Sequence, residues 1–241
     1  MALYKIYSSR YLGVAPEEVN TKYLKLDAEM QLGYKYLIED DKSQTLTTWT
    51  EVWNDIVDAM KREGLKTLKA FDQIFNGHQY VTNWVNDLDD FLMETMSNSR
   101  SKEILERFGR ARIFINEELQ NYLEPKSILA IENTRRAIAE SYFQMGNIEK
   151  SEEIYKDYLN EDPCWGWGWI SWSDQYWLKF HGELDFDRGE EILLKALKIE
   201  NLKDREDVEE RLFILYSNSK QEDKLKALEE KYEIENGKKY W

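Results

Sequence analysis

One cysteine, two histidines and three prolines in 241 residues define this chain by what it lacks. A lone Cys164 excludes an intramolecular disulfide, and with only His78 and His181 beside it there is no thiol or imidazole cluster for zinc. A reducing, cytoplasmic setting is expected, with no metal and no cofactor. Three prolines and 11 glycines leave long uninterrupted stretches for helices and few places for tight strand turns, so the chain reads as all-α. Basic residues are in deficit, 33 against 47 acidic ones, and a net charge of -14 repels phosphate backbones and anionic head groups. Neither nucleic acid nor a membrane is an expected partner. Nowhere do 18 apolar residues run together, and the first residues carry no basic flank, apolar core and small-residue cleavage site, so no spanning segment or secretory leader is expected. Glycine-rich phosphate loops and nucleophile motifs are also missing, and an enzyme is not expected.

What is present is a spacing. Ile138 and Ala139, a large residue and then a small one, let two helices touch, and Tyr142, Gly146, Ile148, Ser151, Tyr155, Tyr158 and Pro163 follow at the intervals of a 34-residue helix pair. Leu32, Gly33 and Tyr36 repeat the large, small, aromatic order in a helix opened by Pro16, Glu17 and Glu18 and running to Glu39. Its partner spans Ser43 to Arg62, with Trp49, Val52, Trp53, Ile56, Val57 and Met60 at helical steps and Gly64 as the stop. Shorter stripes follow at Leu65 to Phe75, from Val81 to Leu92, and from Ile104 towards Pro125. Ser127 is placed to cap the helix of the strong pair. The next step, from Tyr155 to Leu193, lengthens to 38, and a last pair around Leu212 and Leu225 closes the chain.

Five of the nine tryptophans lie between Trp165 and Trp177. Trp165, Trp169, Trp172 and Tyr176 form one helical stripe and Trp167, Ile170, Asp174 and Trp177 another, so both faces are aromatic. A helix buried on two sides explains this, with Trp167 and Trp177 chosen as its exposed edge. A cation-holding aromatic surface is the sharper alternative.

These spacings resemble the tetratricopeptide-repeat (TPR) family. The words Leu32-Gly33-Tyr34-Lys35-Tyr36, Arg135 to Tyr142, Asp162-Pro163 with Trp165 to Ile170, and Asp204 to Val208 resemble, more narrowly, the helical part of bacterial proteins that end in a SEC-C metal-binding motif. Of that motif only Gly237, Lys238, Lys239 and Tyr240 remain, without cysteine, so the resemblance implies no metal here. It implies antiparallel helix pairs stacked as a right-handed superhelix, an α-solenoid, over one domain of residues 1–241, irregular over 1–125 and better defined over 126–241.

The family's groove is lined by the first helix of each pair. At matching positions the strong pair offers Asn133, Arg136, Glu140, Phe143 and Gln144, and the N-terminal pair offers Asp27, Met30 and Tyr34. With Trp167, Asp174 and Trp177, these make an acidic and aromatic groove suited to a basic or neutral segment. Glu140 stands where a clamp for a peptide's terminal carboxylate would need asparagine. The resemblance thus implies a non-catalytic protein-interaction scaffold. A sensor enclosing a small cationic or aromatic ligand against Trp165 to Trp177 is the alternative, and self-association through the same groove is a third reading. Trp241 is a candidate self-ligand for the groove.

Overall fold

A computed structural model describes residues 21–178 and 183–236, the side chains of Thr21 and of 231–236 excepted. The described residues contain eleven α-helices and no strand, in keeping with the all-α expectation from scarce proline and glycine. A single 3₁₀ turn, Thr21–Tyr23, leads into α1 (Leu24–Ile38), followed by α2 (Lys42–Glu63), α3 (Leu68–Phe75) and α4 (Val81–Ser97). Then come α5 (Lys102–Gln120), α6 (Ile128–Gln144), α7 (Ile148–Glu161) and α8 (Gly166–Trp177). The last described elements are α9 (Phe186–Ala196), α10 (Arg205–Asn218) and α11 (Glu222–Asn236). The helix opening expected at Pro16 and the motif remnant from Gly237 to Trp241 lie outside the described residues, as does His181.

Local chemistry sets the boundaries. Asp41 caps α2 by accepting from the Gln44 N–H at 3.0 Å, and Gly64 ends it in the left-handed region at φ 68°, where a side chain would be strained. Thr67 caps α3 through the Ala70 N–H, so that helix begins three residues later than the apolar stripe starting at Leu65. Asp72 receives the Val81 N–H and, at 2.7 Å, the Thr82 hydroxyl, satisfying the first turn of α4 with a side chain from α3. Ser127 does precede α6, but its side chain makes no capping bond. α5 stops at Gln120, short of Pro125.

Contacts divide the chain into two compact units, Met1–Leu88 and Asp89–Trp241, with the division inside α4. The first unit is organised around Trp49, fully buried on α2. Its indole N–H donates to the Met30 carbonyl at 3.1 Å, and its rings meet Tyr34 and Trp84 edge-on at 4.9 and 6.0 Å. α1 can lie this close because position 33 is glycine. A Cβ there would fall inside the Trp49 indole.

In the second unit, α6 and α7 meet where Ser151 near the start of α7 donates to the Ala139 carbonyl at 2.8 Å, while Arg135, one turn before Ala139 on α6, pairs with Glu161 at the end of α7 at 2.7 Å. α8 packs against four helices, α6, α7, α9 and α10. Its two faces enter two cores: Trp165 and Trp172 join Ala139, Tyr155 and Ile192, whereas Ile170 and Trp177 join Leu193, Val208, Leu212 and Leu215.

Gly33→Ala tests the close approach. The substitution gains about 0.5–1 kcal/mol of helix propensity. Overpacking against an indole pinned by its own hydrogen bond costs about 1–3 kcal/mol. The net expectation is a loss of about 1–2 kcal/mol, read as a lowered urea midpoint with an unchanged slope.

Candidate functional site

The three residues expected to line a groove in the N-terminal pair do share one face of α1, but that face is not open. Asp27 is buried, accepts the His78 backbone N–H at 3.0 Å and pairs with the His78 ring through Nδ1. Met30 is fully buried. The Tyr34 hydroxyl accepts from Gln79 Nε2 at 2.7 Å and donates to Asp87, whose carboxyl is pushed up by burial against the pull of that bond. The segment between α3 and α4 therefore covers these residues. Sequence spacing could not show this, because the covering residues lie about 45 to 53 positions away.

In the second unit the expected groove residues separate into two groups. Asn133 is exposed and Arg136 and Trp167 are half-buried; Arg136 donates to Asn133 Oδ1 at 2.8 Å and its guanidinium lies 5.9 Å from the Trp167 ring centre. Glu140, Phe143, Gln144, Asp174 and Trp177 are buried instead of facing a ligand. Phe143 meets the Tyr176 ring at 5.0 Å. Asp174 receives Arg211 at 2.9 Å. Trp177, expected at the exposed edge, is 3% exposed and donates its indole N–H to Ser173. The reason is α9 and α10, whose apolar residues close over that side of α8.

Glu140 sits in the middle of a buried polar chain. Arg112 on α5, itself 3% exposed, donates through Nε and Nη2 to both oxygens of Asp89 at 2.9 Å and through Nη1 to Glu140 at 3.3 Å. Asn116 adds a bond to Asp89 at 2.8 Å. The other Glu140 oxygen accepts the Ser171 hydroxyl proton at 2.8 Å; since serine has one proton, the Tyr155 hydroxyl must donate to Ser171 in the remaining bond. Burial, reinforced by Glu140, raises the Tyr155 phenol well above its ordinary range. For Arg112, burial opposes the charge, but Asp89 and Glu140 outweigh it and hold the cation. The thread thus joins α4, α5, α6, α8 and α7 through groups that all have partners.

A second charged knot lies over the tryptophan helix. Arg188 and Lys156 stand 5.6 and 5.9 Å from the Trp172 ring centre, so the cations near this ring are the protein's own. Both are held by Glu152, which also accepts the Tyr176 hydroxyl at 2.6 Å. Burial works against Glu152 ionising. The bonds from Lys156, Tyr176 and Arg188 nonetheless bring it down to about 2, while burial and Glu152 push Tyr176 up to about 12.

Sequence reasoning missed Arg112 and Arg211. A signal existed for the first: Arg112 follows Phe108 by four and precedes Ile115 by three, so a charge interrupts an apolar stripe, which calls for a buried partner. Cys164 is a half-buried free thiol, and no group of three His, Cys, Asp or Glu among the described residues could hold a metal ion. No helix among them is long and apolar enough to cross a membrane. No protein-family model matches the chain, and comparison with curated proteins gives no match either.

Two outcomes test this electrostatic arrangement. Arg112→Met leaves the buried Glu140 and the half-buried Asp89 without their cation and is expected to cost about 3–5 kcal/mol in denaturant unfolding, most of which returns when Asp89→Asn and Glu140→Gln are added. Because folding lowers the Glu152 carboxyl from 4.5 to about 2, its stabilisation is complete above pH 4.5 and is lost as the pH falls towards 2. In thermal unfolding across that window, Glu152→Gln should flatten the acid limb.

Proposed function

We propose that the chain is a non-catalytic protein-interaction scaffold of the cytoplasm, in which antiparallel, TPR-like helix pairs stack as a right-handed α-solenoid and a row of first helices receives a peptide or helical segment of a partner. The order of packing carries this reading. α6 touches α7 and α8, α8 touches α7, α9 and α10, and α10 touches α9 and α11, so that the first helix of each pair meets its own partner and the first helix of the next pair. A stack of this kind presents a continuous surface along α6, α8 and α10. The contacts of Arg135 with Glu161 and of Ser151 with Ala139 support an antiparallel α6 and α7.

The charge of that surface differs from the one expected of an acidic groove. Glu140 and Asp174 are taken up by Arg112 and Arg211, which leaves Asn133, Arg136 and the half-buried Trp167 to make contacts. An aromatic face next to polar donors suits a neutral peptide stretch, bound through its backbone and one large side chain. The small-ligand alternative gains no support from the tryptophan helix, where Trp165, Trp172 and Trp177 are buried in the two cores.

The test is affinity capture from lysate with the wild type and with Asn133→Ala/Arg136→Ala, two positions outside the buried thread, followed by mass spectrometry. Polypeptides retained by the first and lost by the second are expected. Identical captures would remove this face from the reading, and the absence of any captured polypeptide at low salt would sink the scaffold itself.

A further inference from the structure

A cleft of about 490 Å³ opens along α5 and the last turn of α6, away from Asn133, Arg136 and Trp167. Ile113, Phe114, Tyr142 and Met145 form its apolar part; Glu106, Arg110, Glu117 and Asn147 supply the polar one. Phe114 is 43% exposed, a large ring left in water. Among the described residues neither Glu106 nor Glu117 has a basic group within ion-pair distance, and Arg110 has no carboxylate partner. Asn147 stands at the start of α7 without capping it, so its amide is not engaged there.

Resting on the scaffold reading, we infer that this cleft is a docking site for an extended partner segment of the pattern basic, any, large apolar, any, basic. Three features select that occupant. Glu106 and Glu117 are eleven residues apart on one helix, about 16 Å at 1.5 Å per residue. In an extended segment, residues one, three and five share a face and span about 13 Å, and lysine or arginine stems cover the remainder. The central side chain then meets the rings of Phe114 and Tyr142. Arg110 brings only donors, and Asn147 a donor and an acceptor, which suits the free carbonyls and N–H groups of an extended backbone; a helix would already have used them. A basic segment also fits a chain of net charge -14.

The experiment is an NMR titration of the ¹⁵N-labelled full chain with the end-blocked peptide Lys-Ser-Phe-Ser-Lys, its glutamate-ended counterpart and a version with serine in place of phenylalanine. Shifts are expected at Arg110 to Glu117 and Tyr142 to Asn147, with the lysine-ended peptide binding most tightly. Glu106→Lys/Glu117→Lys should weaken it about fivefold, as two solvated ion pairs imply, and reverse the preference towards the glutamate-ended peptide. Phe114→Ala should weaken it about tenfold, the loss typical of a central aromatic contact. All these positions are on the surface or its edge, and unchanged amide spectra elsewhere will verify the fold. Binding indifferent to charge reversal, or no shifts at all, overturns the inference. Shifts at Arg136 and Trp167 in place of the cleft would overturn it while keeping the scaffold reading, whereas no shifts together with an empty lysate capture would remove both.

Discussion

Taking a guanidinium out of water costs several kcal/mol unless its donors and charge are both met, and the second unit is built around meeting that demand for Arg112. Asp89 takes one edge of the group and Glu140 the other, so α4, α5 and α6 are held in one mutual position. Ser171 and Tyr155 extend the constraint to α8 and α7. An apolar contact tolerates sliding by a fraction of a turn. This thread does not, because each carboxylate oxygen has a designated donor.

The same arrangement decides which surface is free to bind. Once Glu140 and Asp174 have internal cations, their charge is directed inwards, and of the residues expected to line a groove on α6 and α8 an arginine, an asparagine and the edge of the Trp167 indole are left towards solvent. The tryptophan helix is likewise occupied. Trp172 stacks on Tyr155 at 5.9 Å with two cations near its ring, and Trp177 is covered by α9 and α10. Exposed carboxylates and rings remain elsewhere, at the cleft along α5.

Much of the helical framework was legible because short-range sterics write it. The large, small, aromatic words predicted close helix contact, and Gly33 against Trp49 and Ala139 beside Ser151 meet it. Gly64 marked a helix end by chemistry that acts over three or four residues, and it closes α2 in the left-handed region. The candidate site was less legible. Asn133, Arg136 and Trp167 do come together, but Glu140 looks like a solvent-facing position unless one knows that α5 delivers Arg112 from 28 residues upstream. Asp27 gave no sign of His78 for the same reason, a partner 51 residues away. Periodicity reports which face of a helix is covered, and not what covers it.

The packing order from α6 to α11 also bears on how the chain reaches this state. Each of these helices touches neighbours no more than two elements away, so the contacts close short loops, and topologies of that type fold quickly. The bonds of Arg112 and Glu140 close spans of 23, 28 and 31 residues, only modestly more costly in entropy because closure grows with the logarithm of length. A nascent chain would therefore have α5 and α6 in hand before α8 leaves the ribosome. Glu140 would meet its cation first and its serine afterwards, so synthesis itself presents the partners in an order that never leaves the carboxylate buried alone.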